Sequence, residues 1–228
     1  MGPPAEGRVT HPWRQERRTE RRRMIRRHLW ARGVRDPRVL AAMAWVPRER
    51  FVAPGQALRA YEDSPLPSTH GQTISQPYIV ALMTAEARLT RRSRVLEIGT
   101  GTGYHTAILA KVARSVWTLE RVPDLSGDAA RHLAELDLTN VVFIVGDGAQ
   151  GYAPAAPYHA IVVSAAAPAV PPRLLNQLDL GGRLVIPVGD IALQELMVYR
   201  RTPTGFDAHS AGPCRFVPLL SPAAFDEA

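Results

Sequence analysis

The chain is poor in the residues that cross-link proteins or hold metals. Its single cysteine, Cys214, excludes an internal disulfide framework and leaves no Cys/His cluster at metal-ligand spacing. The cytoplasm is the expected compartment. No apolar run approaches the roughly 18 residues of a membrane span. The first residues, Met-Gly-Pro-Pro-Ala-Glu-Gly-Arg, contain no apolar segment of a secretory signal. Internal repeats and low-complexity domains are lacking too. Lysine is nearly absent, since Lys111 is the only one among 28 basic residues. The formal charge of +7 is therefore an arginine charge, and it is local. Residues 1–40 hold twelve arginines and four acids, a surplus of eight positive charges, so residues 41–228 carry a net −1. The basicity belongs to an N-terminal arm and a first helix. A solvated helix face fits that distribution better than a nucleic-acid footprint spread over a groove.

The chemistry gathers around Val95-Leu96-Glu97-Ile98-Gly99-Thr100-Gly101-Thr102-Gly103-Tyr104. Arg94 to Ile98 reads as a short buried strand, glycines at every second position then break it, and a helix follows over Thr106 to Val112. A glycine turn lets a ligand touch backbone, and the helix N-terminus offers free N–H groups. The spacing is G-x-G-x-G, without the extra residue of dinucleotide enzymes and without the Lys-Ser/Thr pair of a phosphate loop. Glu97 would repel a pyrophosphate but suits a ligand carrying a cation, such as an amino-acid ammonium joined to a nucleoside. S-adenosylmethionine (AdoMet) fits that description. The turn by itself also fits any α/β protein. Two further acids narrow the reading. Glu120 ends a second strand about 20 positions on, where a ribose hydroxyl pair is bound. Asp147 stands between Gly146 and Gly148 at the end of a third strand, Val141 to Val145, and can reach an adenine amine.

Residues 1–17 are rich in Pro, Gly and Arg and are expected to be a disordered basic leader. A single domain then spans 18–228, with N-terminal helices and an active-site loop over 18–90 and a cofactor-binding sheet with C-terminal strands over 91–228. A helix is expected from Arg18 to Ala31, stopped by Gly33, with Ile25 and Leu29 on its apolar face. A second runs from the cap Asp36 through Trp45, with Pro37 at its first position and Val39, Leu40 and Met43 facing inward. Residues 51–76 read as a long loop, which inside a compact domain is usually functional. A helix over Pro77–Ala87 follows Ser75. Further strands are expected at Ser115–Leu119, Tyr158–Val163, Arg183–Pro187, Leu193–Arg200 and 205–217, the last broken at Gly212-Pro213. A short helix is expected at Pro172–Gln177. This alternation predicts a mostly parallel α/β sheet with helices on both faces.

Read together, Ala60-Tyr61-Glu62-Asp63-Ser64-Pro65-Leu66-Pro67 and Gly71-Gln72-Thr73-Ile74-Ser75-Gln76-Pro77-Tyr78-Ile79-Val80-Ala81 resemble the protein-L-isoaspartate O-methyltransferases. So do the glycine turn, Gly146-Asp147-Gly148, Gly181 to Val185 with Pro187-Val188-Gly189, and Arg215 to Leu219. The resemblance covers about Arg22 to Leu220, and Gln72 to Pro77 is its most specific part. It implies a Rossmann-like class I methyltransferase of seven mostly parallel strands with an N-terminal helical cap and a swapped order of the last two strands. The implied activity is methyl transfer from AdoMet to the α-carboxyl of L-isoaspartyl residues, which starts protein repair through a succinimide. The implied partners are isoaspartyl proteins or peptides; no membrane or nucleic-acid partner is expected, and the protein is expected to be a monomer.

The same resemblance implies the site. Ser75 matches the active-site serine that orients the substrate carboxylate, and the simpler alternative makes it only the N-cap of the helix starting near Pro77. Gln72, Thr73, Ile74 and Ser75 line the AdoMet pocket, and Glu97, Gly99, Thr100, Gly101, Glu120, Asp147 and Gly148 contact the cofactor. No metal is implied. Ser68-Thr69, His159, Ser164 and Leu220 depart from the family's usual residues, with His159 expected at the surface. Methylation of one dedicated peptide is the nearest alternative function. A nucleic-acid methyltransferase guided by the basic arm is a more distant one, because no Asn/Asp-Pro-Pro-Tyr/Phe motif is present.

Overall fold

Seven strands form one sheet that separates two apolar layers in the computed structural model, which describes residues 16–68, 72–222 and 224. Most of the expected leader lies outside the described residues. Arg17 does not: its guanidinium donates to the carbonyls of Ala57 and Leu58 and pairs with Glu20. Helix α1 (Arg18–Met24) continues through a π-helical turn, Ile25–Leu29, and a 3-10 turn, Trp30–Arg32. Gly33, at φ +96°, ends it as expected. Helix α2 (Pro37–Trp45) starts with the Asp36 carboxylate accepting from the Arg38 N–H at 2.8 Å, and it buries Val39, Ala42 and Met43.

The segment 51–76 carries more structure than a loop. It holds a 3-10 turn at Pro54–Arg59 and a small antiparallel pair, β1 (Leu66–Pro67) with β2 (Thr73–Ile74). Ala60, Tyr61, Leu66 and Ile74 are buried, which ties the segment to the core. Helix α3 (Pro77–Glu86) follows.

The main sheet is built from β3 (Arg94–Ile98), β4 (Ser115–Glu120), β5 (Val141–Val145), β6 (Tyr158–Val163), β7 (Leu178–Gly189), β8 (Gln194–Thr202) and β9 (Gly205–Cys214). Their order is β5-β4-β3-β6-β7-β8-β9. Neighbours from β5 to β7 are parallel, whereas β8 and β9 add antiparallel at one end with β9 outermost. Helices α4 (Tyr104–Val112), α5 (Pro123–Ala134) and α6 (Pro172–Asn176) make the connections. The central strands are apolar on both sides, as strands covered by helices must be. Val95, Val116 and Val162 face the layer of α3 and α4, while Leu96, Leu119 and Ile161 face the opposite layer with Leu174 and Leu219.

The sequence reading misses α5 altogether. Its signals are Pro123 at the first turn, Asp124 beside it, and Leu125, Ala129 and Leu133 four residues apart on one buried stripe. Strand β7 is longer than Arg183–Pro187 because the chain keeps pairing with β6 across an irregularity at Tyr158/Ala160. Strand β9 stops at Cys214, with its register shifting opposite Glu195/Met197 near Gly212-Pro213.

Candidate active site

The glycine turn is built by its backbone angles. Gly99, Gly101 and Gly103 have φ of +88°, +52° and +86°, a region where a side chain is strained. A Cβ on Gly103 would also meet Leu133 of α5 at 2.9 Å, so this glycine lets α4 begin against α5. A Cβ on Gly101 would meet nothing within 4 Å, so the turn is open on that side.

Three acids stand at three neighbouring strand ends, each held differently. Glu97 is completely buried on β3. Its Oε2 accepts from the Thr106 and Thr118 hydroxyls, both at 2.6 Å. Thr118 gives its proton to Glu97, so Thr100, 2.6 Å away, donates to Thr118. The Glu97 Oε1 is buried with no hydrogen-bond partner among the described residues. Burial pushes the carboxyl up to about 7, opposed by the two threonine hydroxyls and reinforced by the nearby Glu120. A buried carboxylate oxygen without a donor is what a cationic ligand would complete.

Glu120, at the end of β4, is fixed by backbone alone. Its Oε2 accepts from Gly101 N–H at 3.0 Å, and its Oε1 from Arg121 and Val122 N–H at 2.9 and 3.1 Å. The second acid is thereby bonded to the glycine turn, and its Oε2, which accepts only one bond, keeps a lone pair for a hydroxyl donor. Asp147, after β5, caps the short turn Gly148–Gln150 through Ala149 N–H at 2.9 Å and accepts from Ser221 Oγ at 2.8 Å. Gly148 packs so close to β3 that a Cβ there would lie 2.3 Å from Ile98 Cγ2. Glu97, Gly99, Thr100, Gly101, Glu120, Asp147 and Gly148 thus share one edge of the sheet.

The Ser75 segment is held from behind. Arg48 is fully buried, and its guanidinium donates to the carbonyls of Ala60, Ser64 and Ser75, the last at 3.0 Å. It also lies 5.6 Å from the ring centroid of Tyr104, the residue that starts α4 after the glycine turn. Asp63 accepts from Tyr78 N–H at 3.1 Å and from Arg32 at 2.7 Å, which fixes the start of α3. The Arg21 guanidinium, also buried, bonds the Tyr61 hydroxyl at 2.7 Å and Glu49 at 3.2 Å, so one arginine of the first helix belongs to the core rather than to a solvated face. Ile74 is buried, Gln72 and Ser75 are half-buried and Thr73 is exposed.

The capping alternative for Ser75 is overturned. The N-cap of α3 is Gln76, whose side chain bonds the Asp63 carbonyl at 2.9 Å, and Ser75 precedes it. Pro77 at the first position has no N–H to receive a cap. Among the described residues the Ser75 hydroxyl has no partner. His159 is exposed, its Nδ1 accepting from Arg94 N–H at 3.2 Å. Ser68 closes the β1–β2 turn by donating its N–H to the Gln72 carbonyl at 2.8 Å, while Thr69 lies outside the described residues.

A family model described as Protein-L-isoaspartate(D-aspartate) O-methyltransferase matches residues 19–224. The chain belongs to this family. A Synechococcus protein-L-isoaspartate O-methyltransferase is 50% identical over 209 residues, 89% of this chain and 86% of the relative. Among solved structures, a protein-L-isoaspartate O-methyltransferase superposes with a TM-score of 0.79 at 28% identity, covering 90% of this chain and 67% of its own. The Plasmodium falciparum member, solved with S-adenosyl-L-homocysteine, gives a TM-score of 0.74 at 26% identity, covering 89% and 97%. The family's class I methyltransferase sheet is the fold described above. Sequence reasoning missed Arg48, the threonines around Glu97, and Ser221 on Asp147. Only Thr106 and Thr118 carried a signal, as hydroxyls inside an apolar helix and strand.

Proposed function

We propose that this chain transfers the methyl group of AdoMet to the α-carboxyl of L-isoaspartyl residues in damaged proteins or peptides, which starts their return to aspartate through a succinimide. The observation that carries the reading is the set of acids at consecutive strand ends, one of them with a buried oxygen that has no donor among the described residues, together with a serine whose carbonyl is held by Arg48, which also rests on the Tyr104 ring after the glycine turn. The residues fit AdoMet. Glu120 accepts from a ribose hydroxyl, Asp147 from the adenine amine, and Glu97 faces the positive charge. Gly99, Thr100, Gly101 and Gly148 keep backbone close to the ligand, and Gln72, Thr73 and Ile74 cover it. AdoMet supplies an electrophilic methyl on a sulfonium. The nucleophile is a carboxylate, ionised at neutral pH without a base. The protein's work is therefore alignment and exclusion of water. Ser75 donates its free hydroxyl to one carboxylate oxygen and turns the other toward the methyl.

On this reading the protein is a monomer formed by the single unit 18–228, with residues 1–17 as a leader. Among the described residues no helix is long and apolar enough to cross a membrane. The lone, half-buried Cys214 agrees with a cytoplasmic site of action. The localised arginine charge gives no body-wide footprint for nucleic acid. The test is methyl transfer to an isoaspartyl peptide and to its normal aspartyl twin. Transfer to the first alone is expected. Equal transfer to both, or to neither, removes the repair reading, and activity restricted to one peptide sequence favours dedicated modification.

A further inference from the structure

Three polar residues outside the assigned site form a chain from α3 to the end of β6. Thr84 Oγ1 lies 2.7 Å from the Val80 carbonyl oxygen and 3.0 Å from His105 Nε2. His105 Nδ1 lies 3.5 Å from Ser164 Oγ. The inner end fixes the direction of the whole chain. A carbonyl only accepts, so the Thr84 proton goes to Val80 and Thr84 accepts from His105 Nε2–H. Burial pushes His105 down to about 3, so the ring is neutral and carries one proton. Its Nδ1 then accepts, and Ser164 must donate. The Ser164 proton is committed inward, and its oxygen offers only lone pairs outward.

Topology says what lies outward. Ser164 donates its N–H to the Ile98 carbonyl at 2.8 Å, and a Cβ on Gly99 would come within 3.4 Å of its own Cβ. Strand order reverses between β3 and β6, and the crevice at such a reversal is where open α/β sheets bind ligands. Across this edge the groups run Asp147, Glu120, Gly99, Ser164, following β5, β4, β3 and β6. The parts of AdoMet follow the same order: adenine, ribose, sulfonium, amino acid. With adenine and ribose at the first two positions, the amino-acid end falls between β3 and β6. Of its two charged groups only the ammonium has hydrogens to give an acceptor.

We infer that Ser164 accepts a hydrogen bond from the cofactor's ammonium group, and that His105, anchored by Thr84, is the positioning residue that keeps Ser164 an acceptor. This rests on the AdoMet reading of the site. The test compares binding of S-adenosylhomocysteine with binding of its analogue lacking the amino group, by calorimetry. Ser164→Ala should weaken the first by about tenfold and leave the second unchanged. Ser164→Thr should keep wild-type affinity. His105→Gln, whose amide can both donate and accept, should keep most of it. His105→Leu should repeat the Ser164→Ala loss, and the double variant should add little. Equal weakening of both ligands in Ser164→Ala indicates a merely structural role and overturns the assignment, as does unchanged binding of both. Should His105→Leu fail to fold, the two ligands on Ser164→Ala still decide. Wild-type protein that binds neither ligand removes the AdoMet reading and the Ser164 assignment with it.

Discussion

Arg48 donates from Nη2 to the Ser75 carbonyl at 3.0 Å while its guanidinium rests 5.6 Å from the centre of the Tyr104 ring. One buried side chain thereby touches both halves of the site, the serine segment and the residue that follows the glycine turn. Its charge sits in a place where burial lowers its pKa, with three carbonyls and the aromatic face as compensation.

Arg48→Met should therefore leave the Ala60, Ser64 and Ser75 carbonyls short of donors, at about 1–3 kcal/mol each. Lysine reaches at most part of the set from a single point. Arg48→Lys is expected to remain folded, lower the turnover number by roughly 10–100-fold through misalignment, and speed amide exchange in residues 60–76. Normal turnover in Arg48→Lys would separate the clamp from catalysis.

Glu120 makes a second prediction. Its carboxylate accepts three backbone N–H bonds, which leaves one acceptor site, on Oε2, for a ribose hydroxyl. Losing one charge-assisted bond costs about 1.5–3 kcal/mol. Glu120→Ala should raise the AdoMet dissociation constant by roughly 10–100-fold in calorimetry. Unchanged affinity would remove Glu120 from the site.

The acids were legible because a glycine turn and strand ends are local signals, readable from spacing. What surrounds them was not. Arg48 sits in Val46-Pro47-Arg48-Glu49, where nothing local marks a core residue, and its partners lie 12 to 27 positions away. Ser221 reaches Asp147 across 74 positions. Helix α5 escaped because its apolar stripe is narrow and its sequence contains Ser126 and Gly127. The capping role given to Ser75 as an alternative failed for a local reason: the helix begins at Pro77 as expected, and the N-cap position directly before it is Gln76.

Glu97 makes the pH prediction. Burial raises its folded carboxyl from the ordinary 4.5 to about 7. Between those values the unfolded chain loses this proton and the folded chain keeps it, so Glu97 makes stability fall as pH rises from about 4.5 to 7, then level off. The loss should reach at most about 3 kcal/mol. Glu97→Gln should remove that slope and weaken AdoMet binding. A bound cation favours the ionised form, so wild-type binding near pH 6 should release a proton, seen as buffer-dependent binding heat. Identical heats in buffers of different ionisation enthalpy would contradict it.

The last prediction concerns Ser75, whose hydroxyl has no partner among the described residues while its carbonyl is held by Arg48. A fixed backbone and a free hydroxyl suit a group that waits for substrate. Ser75→Ala should therefore lower turnover far more than it raises the AdoMet dissociation constant. By comparison with a donor removed from an oxyanion site, the drop should be roughly 10–1,000-fold. Turnover should persist, because the bound cofactor and the peptide backbone still align the reacting atoms. Ser75→Cys should keep part of the activity, since a thiol of similar shape is a weaker donor. No Ser-His-Asp arrangement surrounds Ser75 among the described residues, so a single displacement is expected without a covalent enzyme intermediate. Mass spectrometry of a quenched reaction checks this directly, and a methyl or acyl group found on residue 75 would overturn the mechanism. Full activity in Ser75→Ala would leave the hydroxyl without a catalytic role, and the N-cap position is Gln76, so no capping role would remain for it either.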